Sequence, residues 1–295
     1  MPLSFEPIRL DQQERYRVFL KQCPGPGSEY SFINLFAWQE AHGLEWAWTD
    51  TLVWIRQTIP TTVYWAPMGD WQAINWRKAL DSLEAPSPFS RAPEQLAMVW
   101  KNSAEINMQL EEDRDQWDYL YSVPELAALG GKKYHSKKNH LNRFLKTYAS
   151  RYVAMDASNA REASRLQESW CQWRDCESQE SLANENQGIF KVLEHWESFP
   201  NILGGLLFVG DDLAAYTIGE AFTPDMLLIH FEKGSPDYNG SYQAINQQFL
   251  ENEGGNHPLV NREQDTGDEG MRKAKMSYNP VDFVRKYSGH FVGLK

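Results

Sequence analysis

Apolar positions in the first half of the chain switch repeatedly between helical and strand spacing. Helical spacing covers Tyr16–Gln22 and stops at the Cys23-Pro24-Gly25-Pro26-Gly27 break. Ser31 offers a cap for a second helix, with Phe32, Leu35 and Phe36 on its apolar side. Leu44–Ile59 alternates as two short strands around Thr49-Asp50, and Thr62–Ala66 reads as a third. Trp71–Leu83 is amphipathic, with Ile74, Ala79, Leu80 and Leu83 inward, and Pro86-Ser87-Pro88 ends it. Leu96–Trp100 and Met108–Glu112 read as further strands. An aromatic stretch, Trp117, Tyr119 and Tyr121, then runs through Leu126 and Leu129 to Gly130-Gly131.

The second half is more regular. Arg151–Met155 is a strand, Asn159 begins a helix that reaches Trp173, and another helix covers Asn186–Ser198. A meander follows: Ile202–Val209, a Gly210-Asp211-Asp212 turn, Leu213–Phe222, a Thr223-Pro224-Asp225 turn and Met226–Phe231. A glycine-containing loop, Gly234–Gly240, leads into a helix from Ser241 to about Asn252. Pro258-Leu259-Val260 is a strand that runs straight into Asn261-Arg262-Glu263-Gln264-Asp265. Thr266-Gly267 breaks it, and Asp268 caps a helix whose apolar stripe is Met271, Ala274 and Tyr278. Val281–Tyr287 and Gly289–Val292 close the chain as strands. Hairpins mixed with helices predict an α+β protein, and 295 residues suffice for two domains.

Charge sharpens this picture. The net charge is −11, yet Leu126–Met155 contains no acidic residue. That window holds Lys132, Lys133, Lys137, Lys138, Arg143, Lys146 and Arg151, with His135 and His140. It reads either as a solvated basic helix or as a dock for phosphates, a tRNA or another polyanion. The overall acidity excludes a whole-surface nucleic-acid binder, so such a contact would be local. No apolar run approaches the roughly 18 residues needed to span a bilayer. With no charged-then-apolar N-terminal signal, the expected location is cytoplasmic. Cys23, Cys171 and Cys176 are sparse, which fits a reducing compartment. Cys171 and Cys176 are five apart on a predicted helix and should face different ways, so neither a disulfide nor a zinc site is expected there. No His, Cys or Asp set has metal-ligand spacing.

The densest chemistry lies between Arg262 and Lys275, where four cations and four anions fall within fourteen residues. Apolar residues that lead directly into charge suggest a strand entering a site; the plainer alternative is a solvated strand end. Glu220, His230, Glu232, Arg262, Glu263 and Asp265 all fall at predicted strand ends of one sheet. Glu263 or Asp265 is the expected general base, while His230 and Glu232 are further catalytic candidates. Arg262, Arg272, Lys273 and Lys275 are candidates for orienting a donor or an oxyanion. Glu220, Tyr242 and Asn246 complete the expected substrate-binding set.

Several local sequences resemble one family. They are Asp118-Tyr-Leu-Tyr121 followed by Leu129–Phe144, His230-Phe-Glu-Lys233, Gly240-Ser-Tyr-Gln-Ala-Ile-Asn246, Asn261–Asp265, Gly270–Lys275 and Tyr278-Asn-Pro280. Together they are similar to the soluble C-terminal domain of phosphatidylglycerol lysyltransferases and its stand-alone relatives, from about residue 15 onward. The resemblance implies two tandem GNAT-like domains, each a mixed, mostly antiparallel sheet flanked by helices, with the boundary expected between residues 125 and 126. It also implies aminoacyl transfer from aminoacyl-tRNA to a lipid or other small acceptor, a peptide included, with no bound cofactor. The membrane-embedded half of the lysyltransferases has no counterpart here, which leaves the acceptor open. Acetyl-CoA is the less favoured donor. Asp237 and Tyr242 stand where acyl-CoA-dependent members of the fold place a cation or glutamine and a small residue around a pyrophosphate. An acyl-CoA enzyme and a non-catalytic binding module are the alternatives.

Overall fold

The computed structural model describes residues 3–255 and 257–295. In the first half, β1 (Glu6–Pro7), α1 (Gln13–Leu20), α2 (Phe32–His42), β2 (Glu45–Trp48), β3 (Val53–Gln57), β4 (Val63–Trp65), α3 (Trp76–Leu80), β5 (Ser87–Pro93), α4 (Glu94–Asn102) and β6 (Ile106–Glu112) follow one another. Then come β7 (Asp118–Ser122), α5 (Val123–Ala128), α6 (His135–Thr147), β8 (Ser150–Ala154), α7 (Ala160–Arg174), α8 (Glu180–Glu194), β9 (Ile202–Val209), β10 (Asp212–Thr223) and β11 (Met226–Gly234). The chain closes with α9 (Ser241–Glu253), β12 (Leu259–Asn261), α10 (Glu269–Met276), β13 (Asp282–Val284) and β14 (Lys286–Leu294).

Among the described residues the strands form two seven-stranded sheets, ordered β1-β2-β3-β4-β5-β14-β6 and β8-β9-β10-β11-β12-β7-β13 read from matching edges. The orders correspond strand for strand. In each sheet a run of antiparallel strands gives way to a parallel pair, β4 with β5 and β11 with β12. An antiparallel strand then follows, β14 beside β5 and β7 beside β12. The protein is therefore α+β, with two tandem GNAT-like domains. The chain divides into two compact units. One holds residues up to Asp118 with Gln264–Gly267 and Val284–Lys295; the other holds Tyr119–Glu263 and Asp268–Phe283. The boundary expected at 125/126 thus falls at 118/119, and the last strand joins the first unit because β14 hydrogen-bonds to β5 and β6. A reading by sequence windows cannot see pairing between strands about 200 residues apart.

Other local expectations shift for identifiable reasons. Leu96–Trp100 is helical, within α4, where Leu96, Ala97 and Trp100 are buried at one-turn spacing. A five-residue apolar run fits either period, so its length could not decide. The Trp71–Leu83 helix contracts to α3, which starts where Asn75 accepts a hydrogen bond from the Lys78 amide at 2.9 Å. Ser87 and Pro88 open a strand rather than end a helix. The helix expected over 186–198 is α8, which begins earlier and stops at Glu194. Cys171 and Cys176 form a disulfide, against expectation. The helical spacing does not reach Cys176: α7 ends at Arg174, Asp175 turns left-handed at φ 52°, and the chain folds back.

The core of the second unit gathers Leu207, Ala215, Leu227, Ile229 and Val260 from the sheet, with Ile245 and Phe249 from α9. Leu126 of α5 and Leu141 and Phe144 of α6 join the same cluster. Among the described residues, no helix is long and apolar enough to cross a membrane.

Candidate active site

Two parallel strands that stay paired need no special chemistry, but a pair that separates must fill the gap. β11 and β12 pair at Met226–Leu228 with Leu259–Asn261; β11 then continues while the other chain leaves at Arg262. The gap beyond Leu228 and Asn261 is bridged by charged side chains.

The first bridge is centred on His230. It occupies a β-bulge: Gly219 pairs with Ile229 and Ile218 with Phe231, so His230 is the extra residue. Its imidazole is buried, with Nε2 3.2 Å from Glu220 Oε1 and Nδ1 3.0 Å from Glu263 Oε1. Burial pushes the pKa of His230 down. The hydrogen bonds to Glu220 and Glu263 outweigh that and hold it at about 9. At neutral pH the ring is an imidazolium that donates from both nitrogens. It therefore cannot act as a base; it fixes two carboxylates. The group carries a formal charge of −1, and the Glu220 and Glu263 side chains remain 11% and 17% exposed.

Glu263 is held unusually firmly. Its backbone adopts the left-handed conformation at φ 59°, which costs a non-glycine residue of order 1 kcal/mol or more. Its amide donates to Asn261 Oδ1 at 2.7 Å, and its carbonyl accepts from the Tyr119 amide and from Lys275 Nζ. Lys275 Nζ also donates to the Arg262 carbonyl at 2.7 Å. The surroundings thus impose a strained backbone on a carboxylate-bearing residue, a pattern found at functional sites.

The second bridge is Arg262 to Glu232, 3.0 Å from Nη2 to Oε1, with Asn246 Nδ2 donating to the other Glu232 oxygen at 3.0 Å. Tyr278 and Tyr121 lie against the guanidinium, 4.8 and 5.7 Å from ring centroid to Cζ. Strand pairing separates the two bridges. Glu232 pairs with Thr217 and emerges on the α9 side, where Asn246 meets it, whereas Glu220 alternates with Ile218 and Tyr216 on the other face. Tyr216 reaches Gln167 of α7 on that face.

The expected site residues are therefore divided. Glu220, His230 and Glu263 meet in one group, and Glu232, Arg262 and Asn246 in another. The residues expected at strand ends of one sheet thus form two groups, on opposite faces of β11, rather than one. Asp265 joins neither. It lies in the first unit, fully buried, 3.4 Å from Arg114 Nη1 and accepting from the Gly267 amide. Lys275 anchors backbone carbonyls rather than presenting a free ammonium. Lys273 is exposed on α10 and Arg272 partly so. Tyr242 sits in the first turn of α9, its hydroxyl 3.2 Å from Trp170 Nε1. Lys132, Lys133, Lys138 and Arg143 are exposed on or just before α6, and Lys133 is paired with Glu125. Lys137 differs, being half-buried with Nζ 4.1 Å from the Tyr278 ring centroid.

Tyr119, Tyr121, Tyr278 and Asn261 were missed as site residues. An alternating Tyr119-Leu120-Tyr121 strand gives no hint that both rings face a charged group. Cavities of about 330 Å³ lie elsewhere, one beside α4 and one between α7 and the end of α8. Among the described residues, no group of three or more His, Cys, Asp or Glu is placed to hold a metal.

At the N-terminus of α9, helix α6 packs close against Gly240. Gly240 stands there at φ +96°, and a Cβ on it would lie 3.0 Å from the His140 carbonyl of α6.

A doubled mixed sheet, with a parallel pair in each half that separates, defines a tandem two-domain α+β protein. The family described as "Phosphatidylglycerol lysyltransferase, C-terminal" matches residues 21–289, and the chain belongs to it. A conserved protein of unknown function from Bacteroides thetaiotaomicron is 27% identical, with 98% of this chain and 99% of that one covered and a TM-score of 0.87. The C-terminal domain of a putative lysylphosphatidylglycerol synthetase from Agrobacterium fabrum shares the fold at 11% identity, with 95% and 91% covered and a TM-score of 0.65. An uncharacterised protein of Mycoplasmoides gallisepticum is 23% identical over 171 residues, 58% of this chain and 54% of that protein. The match thus spans about half the length of that curated relative.

Proposed function

We propose that the chain is an aminoacyltransferase. It moves an aminoacyl group from aminoacyl-tRNA to the hydroxyl or amine of a lipid or other small acceptor. The observation that carries this reading is Glu263, a partly exposed carboxylate fixed by its strained backbone and by the buried His230 imidazolium. In the reaction the acceptor attacks the ester carbonyl and gives its proton to Glu263. The ester C–O bond breaks, and the proton passes to the departing ribose oxygen. The −1 charge of the Glu220–His230–Glu263 group suits the ammonium of the aminoacyl moiety. Family membership supports the reaction class, and the exposed cations of α6 support a polyanionic donor. The packing of α6 over Gly240 weighs against the alternative, an acyl-CoA donor.

The test is transfer of a radiolabelled amino acid from tRNA to phosphatidylglycerol vesicles, small amines or peptides, with Glu263→Gln as control. Label in an acceptor that disappears in the variant supports the reading. No transfer to any acceptor removes it, whether or not the charged tRNA is retained. Calorimetric heat with CoA at millimolar concentration would shift the assignment to acyl-CoA chemistry.

A further inference from the structure

Among the polar atoms of the second unit, Arg262 Nη1 stands out: it is shielded from solvent and has no hydrogen-bond acceptor among the described residues. Its sister Nη2 is engaged with Glu232, so the guanidinium is held in place with one side unused. A shielded donor without an acceptor costs about 1–3 kcal/mol, which a ligand oxygen would recover. A second cation lies beside it. Lys137 lies over the same Tyr278 ring that flanks Arg262, and no carboxylate among the described residues pairs with it. Burial, and then the nearby Arg262 charge, push the Lys137 pKa down. Lys133, just before α6, is already paired with Glu125 at 2.7 Å.

We infer that Lys137 and Arg262, meeting at the Tyr278 ring, seat one phosphodiester of a nucleic-acid strand end. The chemistry is specific. A guanidinium N–H on a rigid fork and a mobile ammonium suit the two non-bridging oxygens of a phosphodiester. Tyr278 and Tyr121 add aromatic faces beside it. The source follows from continuity. Lys137 is a half-buried cation of α6, whose exposed Lys138, Arg143 and Lys146 extend the positive charge outward for further phosphates. Lys137 is thereby a ligand-binding residue with a role distinct from its helical neighbours, and binding lifts its side chain from the ring. The inference rests on the aminoacyl-tRNA reading for the identity of the strand and on Arg262 Nη1 for the existence of the seat.

The experiment uses the full chain and a fluorescein-labelled single-stranded ACCA ribo-oligonucleotide, followed by anisotropy across a salt series. Lys137→Gln should weaken binding about fivefold or more. It should also lower the slope of log affinity against log salt by about 0.7, the loss of one phosphate contact on a single strand. Lys146→Gln, on the exposed part of α6, should weaken binding about twofold or less. Arg262→Lys keeps the charge near Glu232 but loses the fork, and should match Lys137→Gln in binding while a thermal melt confirms folding. Equal small effects from Lys137→Gln and Lys146→Gln overturn the seat. Lys137-dependent binding of anionic phospholipid vesicles without binding of ACCA overturns the nucleic-acid assignment in favour of a lipid headgroup. Lys137-dependent ACCA binding without any aminoacyl transfer upholds the seat and removes the proposed reaction.

Discussion

The two units solve the same structural problem with different chemistry. In each, a parallel strand pair separates and leaves a gap. In the first unit the gap beyond Trp65 and Ser90 is closed by a neutral plug, Tyr30. Its buried hydroxyl accepts from the Ala66 amide at 2.8 Å and donates to the Arg91 carbonyl at 2.9 Å. In the second unit the corresponding gap is spanned by His230–Glu263 and Arg262–Glu232. Both units also carry buried charge. In the first, Lys286 is enclosed with Glu29 and Asp118, and the Asp118 carboxylate also takes the Ser28 amide and hydroxyl. Lys286 and Asp118 are fully buried. The second unit leaves the Glu263 side chain partly exposed, and Arg262 Nη1 has no acceptor among the described residues. Glu29 Oε1 in the first unit likewise has no donor among the described residues, so the units differ in exposure: the first unit's charges are sealed from solvent and serve the fold, whereas the Glu263 carboxylate remains within reach of a ligand.

The comparison can be broken at four points. Glu263→Gln should lower the transfer rate by about 10²- to 10⁴-fold, the usual yield of a positioned general base, in a steady-state assay. A rate within threefold of the parent would remove the distinction between the units. Lys286→Met strands Glu29 and Asp118 in the first unit and should cost about 3–5 kcal/mol in denaturant unfolding, while transfer per folded molecule stays unchanged.

The third point is pH. The pKa of His230 is raised in the folded state to about 9, above the unfolded value of 6.5. Its stabilising contribution is therefore complete below about pH 6.5 and is lost as the pH rises through 9. The whole term is on the order of 3 kcal/mol, measurable as a falling unfolding free energy that His230→Gln flattens. Lys286 is raised above an ordinary value of 10.5, so its contribution persists to higher pH and the alkaline loss begins in the second unit. An unchanged pH profile in His230→Gln would show that the imidazolium is not the titrating group. The smallest effect is Tyr30→Phe. It leaves the Ala66 amide and Arg91 carbonyl without a partner, at about 1–3 kcal/mol, with no change in transfer rate.

Much of the second unit was legible in the sequence because its signals are local. The meander has turn residues at Gly210-Asp211 and Pro224-Asp225, and α10 begins at Asp268, whose carboxylate accepts from the Met271 amide as its position suggested. The motifs around Asn261–Asp265 and Gly270–Lys275 pointed to the right family. The site was legible only as a list. Nothing in the order Arg262-Glu263-Gln264-Asp265 indicates that Asp265 belongs to a different unit from Glu263, or that Lys275 is consumed by backbone carbonyls. The disulfide is not legible because helical spacing carried on to Cys176 overlooks the left-handed turn at Asp175.

The sequence by itself determined the doubled α+β scaffold, the family and the set of charged residues, since these depend on periodicity, turn chemistry and contiguous motifs. Only the tertiary structure decided which charges meet. A bulge in β11 turned His230 toward Glu220 and Glu263, and alternation along the same strand sent Glu232 to the opposite face with Arg262. Those pairings join residues 10 to 33 positions apart in the chain. They are fixed by sheet register and by which valences the fold leaves filled or open, quantities that no single stretch of sequence contains.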